Sequence, residues 1–353
     1  MTLHNNQPQY TTEGDASQFH AEVTHDLLLN SKLISLSYTD PVNPSHSLAI
    51  QIAPELGSNL FSYQVGEYDL IYCDRELLKH HEATGNLVLW PFPNRVRDKQ
   101  YSYRGKNYSL ANVPRNPSDP MLVHGLVYDL AWQYEQPVVK QHEVHVTTFI
   151  DISPNNPYYE SYPFESRFSL TYTLTNRGVS VRYTVQNKGQ EPQPFGFALH
   201  PYFLLLSGKD ETTVSIPAHT VMEADDTLLP TTRLLDVQTV MYAMFDLREP
   251  RPLGSLKLDH VYMDLIPEAH AVITYQKQQM QLLVSATEDF THLVIYTPPN
   301  DDPYFCLENQ TCSTDAINLE ARGLSKMAHL LEVDPGQSKS GTISYAIVFQ
   351  ETL

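Results

Sequence analysis

The clearest pattern in the chain is alternation with period two. Phe168, Leu170, Tyr172 and Leu174 share one face, while Arg167, Ser169, Thr171 and Thr173 share the other. Asn176-Arg177-Gly178 interrupts the pattern, and Val179, Val181, Tyr183 and Val185 resume it. Alternation broken by a short Gly-containing turn predicts a β-hairpin with one wet face. His142–Ile150, Ala271–Tyr275, Gln281–Ala286, Leu293–Thr297 and Ile343–Phe349 read as further half-buried strands. Nearer the N-terminus, Leu33–Tyr38 and Leu48–Ile52 read the same way. Helical periodicity is weak: Asp74–Ala83 is the one short helix it predicts. The 25 prolines are scattered among the strands, which suits loops and strand ends.

No fixed-period repeat or low-complexity linker divides the chain. Residues 1–22 read as a flexible N-terminal lead and 23–353 as a single domain. A large all-β antiparallel sandwich is the simplest way to bury this many alternating strands. With 41% hydrophobic residues among 353, the chain can build a sizeable core.

Charge narrows the partners. Lys and Arg total 23 against 41 Asp and Glu, a formal net charge of −18. Such a chain repels phosphate backbones and anionic lipid, so neither nucleic acid nor a membrane surface is an expected partner. Cys73, Cys306 and Cys312 are an odd, sparse set with no CxxC pair, so neither a disulfide framework nor a zinc site is expected, and they suit a reducing, cytoplasmic setting. Met1 to Gln18 has no apolar stretch, so no signal peptide is expected. The sequons at Asn107 and Asn309 are then chance matches.

Five segments place polar residues where strands alone do not demand them. In Tyr304-Phe305-Cys306-Leu307-Glu308 an apolar run ends in a carboxylate, a way to raise an acid's pKa towards working pH. Leu89-Trp90-Pro91-Phe92-Pro93-Asn94-Arg95-Val96 sets a guanidinium among aromatics and prolines. His124 closes an apolar run before Gly125, which permits a turn or a close ligand approach. His200 lies within Phe195-Gly196-Phe197-Ala198-Leu199-His200-Pro201-Tyr202-Phe203, and Asp259 opens Asp259-His260-Val261-Tyr262. Taken singly, each has an ordinary structural reading: a solvated Glu, a Pro-rich loop, two core histidines.

Together, and in this order, the segments resemble the aldose 1-epimerase (galactose mutarotase) family. The pieces that carry the likeness are NRV with YSYRGKNYSL, LVHG, ALHPYF, LDHVY and FCLENQTCSTDAIN, spanning roughly Leu48 to Phe349. The resemblance implies the family's supersandwich fold and interconversion of the α and β anomers of an aldose without a cofactor or metal. It implies Glu308 as catalytic base and His200 as general acid. His124, Arg95 and Asp259 match sugar contacts, and Asn94 the neighbour of that arginine. Trp90 and Phe305 are the aromatic side chains expected to stack on a sugar ring. The expected partner is a monosaccharide, and both a monomer and a homodimer fit.

The chain departs from the common family pattern at Asn309, where a proline often follows the Glu, at Leu126, where a second glycine often follows His-Gly, and at Pro201. These leave the ionisable positions intact and bear on sugar preference. Arg97, Arg104 and Arg115 raise a related reading, in which they hold the anionic group of a hexose phosphate or other acidic sugar. The Asn94-Arg95 pair resembles the free-aldose branch of the family, which favours a free aldose. A non-catalytic carbohydrate-binding protein is the alternative from another class. No HExxH and no His pair at i, i+4 beside a Glu points to a metal-dependent hydrolase.

Overall fold

A computed structural model describes residues 18–115 and 119–350, and it is built almost entirely of antiparallel strands. Ser166–Thr175 and Gly178–Asn187 form the predicted hairpin, with strictly alternating burial in the first arm. They sit within a ten-stranded sheet whose neighbours include Val144–Ile152, Ser338–Phe349, Met280–Ala286 and Ala271–Tyr275. Each of these contains or overlaps a strand expected from alternation. The helix expected within Asp74–Ala83 is the single turn and a half Arg75–Lys79, capped by Asp74, whose carboxylate accepts from the Glu76 and Leu77 amides.

A second, seven-stranded sheet lies against the first. Its order is Pro230–Asp236, Ala218–Ala224, Asp259–Leu265, His292–Tyr296, Tyr304–Gln310, Ala198–Leu204 and Asn86–Leu89. Leu199, Phe203, Leu293, Ile295, Phe305 and Leu307 from this sheet join Phe168, Leu170, Tyr172 and Val181 from the first in one core cluster. Each fully buried Leu or Phe contributes on the order of 1.5–3 kcal/mol, so this layer holds the sandwich together. A third, five-stranded sheet covers residues 19–69.

Two details differ from expectation. The first strand, Phe19–Asp26, pairs along its whole length with Ser31–Tyr38. Residues 19–22 therefore belong to the sheet, and the rest of the expected lead, up to residue 17, lies outside the described residues. The segment after Glu308 is not simply loop: Ala316–Ala321 and Ser325–Ala328 are short helices. Alternation could not reveal either, because each is little more than one turn and is held by tertiary contacts. Asn309 of the second sequon is 5% exposed, which leaves its amide no room for a glycan. Among the described residues no helix is long and apolar enough to cross a membrane.

Candidate active site

Register in the seven-stranded sheet assembles the site. Ala198 pairs with Gln310 and Tyr202 with Cys306, so His200 lies directly across from Glu308. On its other side Glu308 pairs with Val294. One row further, Cys306, Tyr296 and Asp259 stand side by side across three strands. Period two then puts His200, Tyr202, Tyr304, Cys306, Glu308 and Gln310 on one face, turned away from the large sheet.

His200 Nε2 and Glu308 Oε1 are 3.3 Å apart, and the two side chains are 8% and 3% exposed. Gln310 Nε2 donates to the other carboxylate oxygen of Glu308 at 3.0 Å. The Tyr202 ring lies parallel to the His200 imidazole at 4.7 Å, fixing its plane. The His124 ring meets His200 edge-on at 4.9 Å. Burial drives these groups towards their neutral forms. Glu308 is pushed up to about 8 by burial, against the hydrogen bond from Gln310, with Asp259 raising it further. His200 is pushed down to about 4 by burial and by the charge of Arg95. His124 is held well below its usual value by burial and by the nearby His200, Arg95 and Arg115. The roles of base and acid imply a carboxylate beside an imidazolium. Desolvation of both partners instead favours a carboxylic acid beside a neutral imidazole, which carries the same number of protons.

Backbone bonds stitch the three polar loops into this face. The His124 amide donates to the Asn94 carbonyl at 2.7 Å, and Leu126 N donates to Trp90 O at 2.7 Å. Gly196 N donates to Pro91 O, and Asp315 N donates to Arg95 O at 2.9 Å. Asn94 has φ +60°, a left-handed conformation that Asn tolerates, and its side-chain oxygen accepts from Arg95 Nη1 at 2.8 Å. Asp259 is raised by burial and lowered by Arg95. A crevice lined by Asn94, Arg95, Asp259 and Thr314 lies on one side of Asp259. A cavity of about 430 Å³ also reaches Asp259, lined by Tyr296, Tyr304, Pro298 and Lys257 among others, and the buried Phe305 borders it.

The structure therefore brings together Glu308, His200, His124, Arg95, Asn94 and Asp259. Two expected sugar-stacking residues are not among them. Trp90 is fully buried and stacks on Phe168 of the large sheet at 4.8 Å, so it is a core residue. Phe305 is 1% exposed, and Phe203, which packs on it, also packs on Tyr345 of the large sheet. Phe305 is an odd number of residues from Glu308 and so must face the opposite way. Tyrosines cluster on the site face instead: Tyr304 packs against Tyr202 at 5.0 Å and Tyr72 at 4.9 Å. Tyr202, Tyr296, Tyr304 and Gln310 escaped the sequence analysis, although counting in twos from His200 and Glu308 finds three of them.

The arginines considered for an anionic sugar are already engaged. Arg97 pairs with Asp315 at 3.5 Å, Arg104 with Glu332 at 3.2 Å, and Arg115 with Asp129. Among the described residues, no group of three or more His, Cys, Asp or Glu side chains is arranged to hold a metal ion.

Comparison with known proteins agrees with this fold. Escherichia coli K12 YihR, an uncharacterized protein, is 28% identical over 235 residues, 65% of this chain and 71% of that one. Human galactose mutarotase is 32% identical over 171 residues, 47% of this chain and 46% of its own length. A galactose mutarotase-like protein from Clostridium acetobutylicum superimposes with TM-score 0.80 at 18% identity, covering 94% of this chain and 98% of that one. Galactose 1-epimerase from Lactobacillus acidophilus NCFM gives TM-score 0.72 at 16% identity, covering 95% and 100%. At such identities the superpositions speak for fold alone. The aldose 1-epimerase family model matches residues 43–346, and with that match the chain belongs to the aldose 1-epimerase family.

Proposed function

We propose that the chain is an aldose 1-epimerase that opens and recloses the ring of a free aldose, with Glu308 and His200 exchanging the protons. The observation that carries this reading is the buried cross-strand pair, 3.3 Å from nitrogen to oxygen. Ring opening requires a proton to leave the anomeric hydroxyl and another to reach the ring oxygen. The O–H electron pair becomes the second bond of the C1 carbonyl, and the C1–O5 pair leaves with O5. Rotation about C1–C2 and the reverse steps then close the other anomer. A base and an acid a few ångströms apart satisfy both demands, and each positioned proton transfer is worth about 10²–10⁴ in rate.

The resting pair holds one transferable proton. Moving it from Glu308 to His200 yields the carboxylate that takes the anomeric proton and the imidazolium that supplies the ring oxygen. Sugar hydroxyls donating to Glu308 favour the carboxylate, as does the nearby Arg95, whose charge at the same time disfavours the imidazolium. After opening, Glu308 carries the proton and His200 is neutral, so closure runs the roles backwards. Gln310 holds one carboxylate oxygen in place and leaves the other facing His200. Arg95 and Asp259 offer a donor and an acceptor for sugar hydroxyls, His124 a further polar contact, and the tyrosine cluster a surface for the apolar side of a pyranose.

A free aldose is the better substrate class because the guanidiniums of Arg97, Arg104 and Arg115 are already neutralised by carboxylates. Polarimetry or saturation-transfer NMR on fresh α-anomers of glucose, galactose, xylose and glucose 6-phosphate tests the proposal. Acceleration of at least one free sugar is expected. Acceleration of the phosphate alone would move the substrate to the acidic class. No acceleration of any sugar, with binding retained, would leave a carbohydrate-binding protein.

A further inference from the structure

We propose that Arg115 is a positioning residue for His124, clamping the turn that presents the imidazole to the site. The inference rests on the proposed reaction for its functional meaning, but the clamp itself is a statement about geometry. His124 and Gly125 are both left-handed, at φ +67° and +71°. For a residue other than glycine this conformation costs on the order of 1 kcal/mol or more, and it persists where surrounding contacts over-determine it. The entry to the turn is fixed by the bond from the His124 amide to Asn94 O, and its exit by the bond from Leu126 N to Trp90 O. A side chain at Gly125 is excluded, because its Cβ would lie 2.4 Å from the Trp90 carbonyl oxygen.

Arg115 fixes the middle. Its Nη1 donates to the Gly125 carbonyl. The other edge of the guanidinium forms a two-pronged pair with Asp129, Nε to Oδ2 at 2.8 Å and Nη2 to Oδ1. Tyr158 steadies the carboxylate by donating to Oδ2 at 2.7 Å. The guanidinium plane is sandwiched near two rings, 4.1 Å from the Tyr128 centroid and 5.3 Å from that of Tyr158. The side chains of Arg115 and Asp129 are only 12% and 18% exposed. Removing both charges from water costs several kcal/mol, offset only when the fork geometry and the extra hydrogen bonds are all present. A lysine has one nitrogen and cannot span both the carboxylate fork and the Gly125 carbonyl. Burial chiefly holds the His124 imidazole in its neutral form; of the ionisable groups that face it, His200 when protonated and the guanidiniums of Arg95 and Arg115 act in the same direction.

Two substitutions separate the roles. Arg115→Lys keeps the charge and loses the fork, whereas Arg115→Met loses both. Both are expected to lower kcat/KM for anomer exchange about tenfold, as small misplacements of substrate contacts do. The His124 ring resonances are expected to move in both variants, because the turn is released in each, and the midpoint of their titration to shift to higher pH in Arg115→Met alone. If Arg115→Met fails to fold, Arg115→Lys and Tyr158→Phe carry the rate test. Wild-type kcat/KM in Arg115→Lys, with unchanged His124 ring resonances, would overturn the clamp. If the wild-type protein accelerates no sugar, the proposed reaction fails, and the ring resonances still decide whether Arg115 holds His124.

Discussion

The Ser166–Asn187 hairpin and the Tyr304–Gln310 strand are built by the same alternation, yet only the hairpin wears it in its sequence. In the hairpin one face is wet, so Phe168, Leu170, Tyr172 and Leu174 are separated by Arg167, Ser169, Thr171 and Thr173. In Tyr304–Gln310 every residue after Tyr304 is buried, on both faces. One face packs into the sandwich through Phe305 and Leu307, and the other carries Cys306, Glu308 and Gln310 into the site. Where both faces are buried, composition no longer says which way a side chain points. Facing then has to be counted from a residue whose side is known.

That contrast yields tests, the largest effect first. Glu308→Gln and His200→Asn should each slow anomer exchange by about 10²–10⁴ while circular dichroism stays native. Steady-state rates of purified variants check this, and a loss below tenfold would remove the pair from the chemistry. On the opposite face of the same strand, Phe305→Ala should cost about 3–5 kcal/mol of stability by opening a core cavity, with kcat/KM of the folded protein nearly unchanged. Tyr304→Ala should do the reverse, raising KM about tenfold for a loss of about 1.4 kcal/mol of sugar contact, at little cost in denaturant midpoint. If Phe305→Ala raised KM and Tyr304→Ala chiefly unfolded the protein, the assignment of faces would be inverted. In the hairpin, Thr173→Val on the wet face should move stability by no more than about 0.5 kcal/mol.

The buried acid also leaves a mark on stability. Glu308 is raised from its ordinary 4.5 to about 8, so the folded protein holds a proton that the unfolded chain has released. Unfolding therefore becomes easier as pH rises through that interval, and the folded state is least favoured above about pH 8, where Glu308 must ionise in place. His200, lowered to about 4 from 6.5, acts oppositely and only between those values, so above pH 6.5 it is silent. Glu308→Gln should accordingly lose less thermal stability than wild type between pH 6.5 and 9 in paired melting curves.

Much of this was legible in the chain. Alternation gave most strands of the large sheet, and five short segments gave the six polar groups that converge. What stayed hidden was tertiary. Trp90 and Phe305 are aromatic residues beside site residues in the sequence, and adjacency in a strand means opposite faces. Gln310 carried no mark of its own until Glu308 was placed two residues before it. Arg115 reads as a candidate for an anionic group because nothing in its sequence neighbourhood names Asp129 or the Gly125 carbonyl as partners. Desolvation, which reverses the resting protonation of Glu308 and His200, is a property of the closed sheet face and of no short segment.

The central claim is that one proton, shared across the Glu308–His200 pair, is what the reaction uses. The pH dependence of kcat/KM for anomer exchange by the wild-type protein tests it most directly. A bell is predicted, flat through neutrality, falling on the acid side near pH 4 as the pair takes a second proton and on the alkaline side near pH 8 as it loses the one it holds. An alkaline limb that survives unchanged in Glu308→Gln, or a profile with no limb near pH 8, would contradict it.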